Sequence, residues 1–193
     1  MKATLDLFRA LGSNNTDCRQ DGAALGYGPR EGWLFNSGLE GIEKADAVLI
    51  VGANPRTEAP LLNARLRKAW LKGDMEIGLI GEQADLTFDY AYLGAGTQTL
   101  AKLPKSALDF LTKAERPAII VGSGALGGEG GPAVLNALGA LAKKVGVVAP
   151  DSEGGGWNGF NVLHHAASRV AGLDMGFVPA EGGLTVAEML KPY

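Results

Sequence analysis

Apolar residues in this chain fall into two kinds of run. Residues 47–51 (AVLIV) and 117–121 (PAIIV) are short, uninterrupted and rich in β-branched side chains, and each runs into a glycine turn, Gly52-Ala53-Asn54-Pro55 or Gly122-Ser123-Gly124. Each turn opens a stretch whose apolar positions recur at three- and four-residue steps: Leu62, Leu66, Ala69 and Trp70 after the first, Val134, Leu135, Leu138, Leu141 and Val145 after the second. Continuous apolar strands feeding glycine turns and amphipathic helices predict buried parallel strands, whose C-terminal ends face a ligand crevice.

Further runs fill in the pattern. Residues 76–80 and 90–93 read as strands ending at Gly81 and Gly94, and Val147-Val148 closes the second unit. Thr4 is positioned to cap a first helix that places Leu5, Phe8 and Leu11 on one face and stops at Gly12; residues 39–45 form a short helix. Thr57 and Glu58 begin the helix after the first turn, Pro60 being tolerated in its first turn, and Lys72 and Gly73 end it. Ser106 with Asp109 predicts a capped start for a helix over 107–114; residues 132–145, 160–171 and 184–190 read as further helices. Residues 13–33 are polar and turn-rich, an irregular excursion of a length that is functional, contact-making or a sign of a neighbour elsewhere. The fold class is therefore α/β, with Rossmann-like parallel sheets and flanking helices in two lobes, 1–103 and 104–193, meeting near 98–105. The last residues follow a helix where the alternation calls for another strand, so the chain reads as a piece of a larger polypeptide.

Composition narrows the classes. Of 193 residues 46% are hydrophobic and 20% charged, enough for a real core. A net charge of −3 gives no basic field for nucleic acid. No stretch approaches the ~18 apolar residues of a membrane span, so no direct membrane insertion is expected. A single cysteine, Cys18, excludes an internal disulfide framework and any iron–sulfur or cysteine-rich zinc site made from this segment alone. The 29 glycines gather at turns and in 122–131 and 154–159, as close-approach loops or surface connections.

Candidate chemistry is sparse. Neither glycine turn has the full G-x-G-x-x-G spacing; each could present helix N–H groups to a phosphate or serve strand–helix packing alone. His164 and His165, adjacent on an expected helix, diverge by about 100° and read as one surface and one boundary histidine rather than a metal pair. Cys18 beside Arg19 has no histidine near it in sequence and is assigned no role. Glu82, Asp85, Asp89 and Asp151 follow strand ends, where a carboxylate can act as acid, base or ribose acceptor, yet nothing in the sequence pairs them. No catalytic or metal-ligating set emerges.

Several segments together carry a resemblance. Asn14-Asn15-Thr16-Asp17-Cys18-Arg19-Gln20-Asp21-Gly22, Leu34-Phe35-Asn36, residues 41–46, the run from Gly52 to Lys68, residues 116–126 and residues 157–179 resemble the large iron–sulfur subunits of proton-pumping NADH:quinone oxidoreductase, respiratory complex I. The resemblance implies a fold similar to molybdopterin oxidoreductases such as formate dehydrogenase, in which the turns matching Gly52-Ala53-Asn54-Pro55 and Gly122-Ser123-Gly124 line the pterin-dinucleotide site. Complex I relatives generally lack that cofactor. The expected reading is thus a vestigial pocket at Gly52, Asn54, Pro55, Gly122 and Gly124, with no cofactor or metal in this segment and iron–sulfur clusters belonging upstream. The implied role is non-catalytic packing and contact with other peripheral-arm subunits, on the cytoplasmic or mitochondrial-matrix side of the inner membrane, within an assembly that carries electrons from NADH to quinone. Two rival readings stand beside it: a working molybdopterin-dinucleotide domain, and the central domain of thiamine-diphosphate enzymes, which Arg116 to Gly124 also resembles.

Overall fold

The computed structural model describes residues 1–149 and 156–192. Strands β1 (Ala47–Val51), β2 (Glu76–Ile80), β3 (Ala91–Gly94), β4 (Pro117–Gly122) and β5 (Phe160–Leu163) form one parallel sheet in the order β3-β2-β1-β4-β5. The two apolar runs that dominate the sequence lie side by side at its centre, with Ala47 opposite Pro117 and Val51 opposite Val121. Every residue of both strands is buried, as expected of strands covered on both faces. Alternation then divides the core in two. Leu49, Val51, Ile119 and Val121 join Leu138, Leu141, Leu25 and Trp33 on one face, while Val48, Ile50, Ala118 and Ile120 join Leu62, Leu66 and Ile77 on the other.

Helices follow from the same patterns. α1 (Lys2–Ala10) and the single turn α2 (Gly38–Gly41) precede β1. The helix expected after the first turn is broken at Ala59, whose φ of −148° separates α3 (Pro55–Glu58) from α4 (Pro60–Leu71). Pro60 lacks an N–H and takes the first position of the new helix, where none is needed. α5 (Lys105–Lys113) packs on β1, β4 and α6 (Gly131–Val145), and α6 ends at Gly146 in the left-handed conformation, φ +73°. α7 (Arg169–Asp174) and α8 (Val186–Met189) complete the chain, α8 with a capping box between Thr185 and Glu188. The expected Thr4 and Ser106–Asp109 caps are absent: Thr4 lies inside α1, and α5 starts at Lys105 behind Pro104.

Three expectations are corrected. The helix over 160–171 is instead β5 followed by α7, and Val148 makes only an isolated bridge, to Asn158. Two sets of partners outweigh the helical pattern at 160–163. β4 offers a free edge, and the Leu34–Asn36 backbone closes the other side, with Val162 N–H donating to the Leu34 carbonyl at 2.9 Å and Phe35 bridging Asn161. Asn161 is fully buried because its amide is satisfied by Ser37 and the Gly159 carbonyl. Thirdly, the strand units of 1–103 and 104–193 meet inside one sheet: β1 of the first and β4 of the second are hydrogen-bonded neighbours, so there is a single sheet rather than one per lobe.

The excursion over 13–33 turns out to be packed. Ala23, Leu25 and Trp33 enter the core, and Asp17 and Arg19, with side chains 2% and 5% exposed, pair at 2.8 Å. Arg19 also donates to the Leu25 carbonyl and stacks over Tyr27. Its neighbour is the C-terminal part of the same chain. Cys18 N–H donates to the Phe177 carbonyl, Asn14 to the Glu181 carbonyl, Leu184 N–H to Asn15, and Arg30 pairs with Asp174 at 2.7 Å.

Candidate functional site

All five strands point their C-terminal ends at one edge, and the strand order reverses between β1 and β4. The Gly52 and Gly122 turns therefore stand together at the switch point, the place where open α/β sheets bind ligands. Here the turns are in contact. A Cβ on Gly122 would overlap the Gly52 carbonyl oxygen, and one on Gly52 (φ +56°) would sit 2.6 Å from the Ala125 Cβ. Both glycines are required by packing between turns. Gly124, by contrast, has open space beside it.

Most donors of the first turn are engaged. Asn54 Oδ1 accepts from Arg56 N–H at 3.1 Å, and the Asn54 carbonyl accepts from Thr57 and Glu58 N–H at 3.1 and 2.9 Å. Pro55 has no N–H to give. Asn54 N–H itself donates to Glu58 Oε1 at 2.6 Å, while the other Glu58 oxygen lies 2.7 Å from His165 Nε2. Gly52 N–H is engaged by the Ile80 carbonyl at 2.8 Å. A pyrophosphate needs free N–H groups and no fixed negative charge beside them. At this turn the Glu58 carboxylate already takes the Asn54 N–H, an arrangement that competes with a phosphate for that donor.

The second turn is covered on both sides of the exposed Gly124. A 3-10 turn, Ser123–Leu126, leaves β4, and the excursion lies against it: Ala24 N–H donates to the Leu126 carbonyl at 2.8 Å, and Asp21 backbone sits beside Gly127. Ser123 is 1% exposed and its Oγ has no hydrogen-bond partner. Arg169, 5% exposed, places Nη1 2.9 Å from Asp21 Oδ1, which draws the Asp21 carboxyl below its ordinary range although burial opposes this.

The two histidines part as the sequence suggests, one at the boundary and one at the surface, though from the end of a strand rather than a helix. His164 turns inward, its Nε2 2.7 Å from the Trp33 carbonyl, and burial pushes its imidazole below the ordinary 6.5. His165 is half-exposed on Glu58. The other candidates are not brought together. Cys18 lies against Gly172, and burial pushes its thiol up, away from thiolate chemistry. Asp85 is engaged by Thr87 N–H and Arg56, which hold its carboxyl low; Glu82 and Asp89 are exposed. Asp151 lies outside the described residues. Among the described residues no three His, Cys, Asp or Glu side chains group to hold a metal.

The residues that decide this edge, Glu58, Ser123, Asp21 and Arg169, carry no site role in the sequence reading. Glu58 had a visible signal, an acid in the first turn after a capping Asn54. The Asp21–Arg169 pair had none, because only the packing of the two chain ends creates it. A groove of about 600 Å³ between Arg19, Tyr27, Pro132, Leu135 and Val186 adjoins the excursion but is lined by neither glycine turn.

Comparison with known proteins agrees with the fold. A family model described as molybdopterin oxidoreductase matches residues 1–193, taking in both strand units, so the likeness of Arg116 to Gly124 to thiamine enzymes falls within one family match. The chain is 43% identical over 175 residues to the mitochondrial NADH-ubiquinone oxidoreductase 78 kDa subunit of Candida albicans, covering 89% of this chain. It is 40% identical over 182 residues to the mitochondrial NADH dehydrogenase [ubiquinone] iron-sulfur protein 1 of Solanum tuberosum, covering 93%, and 42% identical to the 78 kDa subunit of Neurospora crassa, covering 91%. In each case the chain spans 24% of the relative's length. From the full-length family match and these identities, the chain belongs to the molybdopterin oxidoreductase family, with large iron–sulfur subunits of NADH–ubiquinone oxidoreductase among its relatives.

Proposed function

We propose that this chain serves as a structural, subunit-contacting region of a large iron–sulfur subunit of NADH:quinone oxidoreductase, and that it catalyses no step and holds no cofactor itself. Electron transfer would fall to iron–sulfur clusters elsewhere in that subunit, and the partners would be other peripheral-arm subunits on the cytoplasmic or matrix side of the membrane. Among the described residues no helix is long and apolar enough to cross a membrane. The observation that carries the reading is Glu58. Its carboxylate takes the Asn54 N–H at 2.6 Å at the switch point, a donor that a phosphate bound to this turn would need.

Two measurements on the purified chain test this. Metal analysis is expected to find neither iron nor molybdenum in stoichiometric amount, and calorimetry with guanosine diphosphate is expected to give no binding heat. Stoichiometric metal, or nucleotide binding that Asn54→Leu abolishes, overturns the proposal in favour of a working molybdopterin-dinucleotide domain.

A further inference from the structure

We propose that Ser123 Oγ, His164 Nδ1 and Arg169 Nε share a buried water that joins the ends of β4 and β5 to the excursion. Gly122 is the register partner of Leu163, so Ser123 and His164 leave neighbouring parallel strands at the same level. Val121 and Val162, two residues earlier on each strand, both belong to the core on the excursion face. Ser123, the first residue of the 3-10 turn, is buried, and the charges of Arg169 and Asp21 both act on His164, which places those two side chains near it. The bond from His164 to the Trp33 carbonyl agrees, since Trp33 belongs to the same core. Arg169 reaches this place from α7 through Asp21, whose backbone lies beside Gly127 at the end of the Ser123 turn.

The three atoms are buried without hydrogen-bond partners, as is Arg169 Nη1, whose 2.9 Å approach to Asp21 is a charge contact without hydrogen-bond alignment, and buried polar groups seldom remain so. Their chemistry selects the occupant. The Trp33 carbonyl accepts only, so His164 Nε2 carries the proton and Nδ1 is left as an acceptor. Arg169 Nε–H can only donate, and the Ser123 hydroxyl can do either. A molecule between them must accept from Arg169 and donate to His164. An ammonium ion cannot accept, a metal cation would face the Arg169 guanidinium, and a fully deprotonated anion cannot donate to Nδ1. Water does both and is the ordinary filler of such sites. The water site stands whether or not the first turn holds a cofactor.

A crystal structure of the intact chain, refined where ordered solvent is visible, tests it. The expected result is a water within hydrogen-bond distance of at least two of the three atoms, retained on His164 and Arg169 in Ser123→Ala. A direct Ser123–His164 hydrogen bond, a density feature with ion geometry, or no solvent peak overturns it. Histidine nitrogen NMR supplies a second reading: His164 is expected as the Nε2-protonated tautomer with a hydrogen-bonded Nδ1, and the opposite tautomer overturns the assignment.

Discussion

Gly122 and Gly124 are two residues apart, and the structure gives them opposite weight. A side chain at Gly122 runs into the Gly52 carbonyl, which the sheet cannot move, whereas one at Gly124 meets nothing within 4 Å. Gly122→Ala is therefore expected to destabilise the fold by about 1–3 kcal/mol, the usual cost of forced overpacking. Gly124→Ala should stay within about 0.5 kcal/mol of the parent. Urea unfolding of the two variants checks the contrast, and equal costs would refute the contact between the turns. His164 supports a second expectation. Its imidazole, pushed below 6.5 mainly by burial, binds a proton more weakly folded than unfolded. The unfolded state then holds more protons, so stability rises with pH through this range and is lost as pH falls below about 6.5. Asp21, held below 3.8, loses its contribution only at more acid pH, which keeps the two effects apart. Thermal unfolding across pH should show the decline below about 6.5, and His164→Gln should remove it.

At the scale of elements, stability is distributed unevenly. β1 and β4 are wholly buried, whereas α8 has no buried residue, and the C-terminal segment around it is tied down largely by polar contacts to Asn14, Asn15 and Asp17. Regions with few apolar contacts open first. Amide exchange is expected to be fastest in the segment from Gly176 to Leu190 and slowest in β1 and β4, and Asn15→Ala should accelerate exchange at Leu184 while leaving Ile50 unchanged. Uniform protection along the chain would count against this gradient. The same distinction explains what could be read from sequence. β1, β2 and β4 were legible because four to six consecutive buried residues running into a glycine leave little alternative, and α6 was legible in its three- and four-residue apolar spacing. β5 was hidden because Asn161 in its middle is buried through bonds to Ser37 and Gly159, partners that local periodicity does not contain. The site was legible in the positions of its glycines and illegible in its closure, since Glu58 reads simply as a good residue for a first helical turn.

At the scale of the whole molecule the question is whether the halves at 103 and 104 act separately. Each contributes a strand–turn–helix unit, but β1 shares five register positions with β4, and the core beneath them mixes Leu49 and Val51 with Ile119, Val121 and Leu138. Separating the halves would expose this apolar surface and unpair the central ladder at once, so neither has a low-cost route to unfold alone. The tryptophans sit where this can be seen: Trp33 packs on one core, Trp70 on the other, and Trp157 Nε1 donates to the Pro117 carbonyl at 2.7 Å. Three variants, each keeping one tryptophan and carrying phenylalanine at the other two positions, are expected to give urea curves whose fluorescence transition coincides in each variant with its own far-ultraviolet dichroism. Trp70, on the 1–103 side, and Trp157, on the 104–193 side, are the informative pair. If Trp70 fluorescence changed at a urea concentration where the dichroism and the Trp157 signal had yet to move, the lobes would be separable units and the shared sheet a weak junction between them.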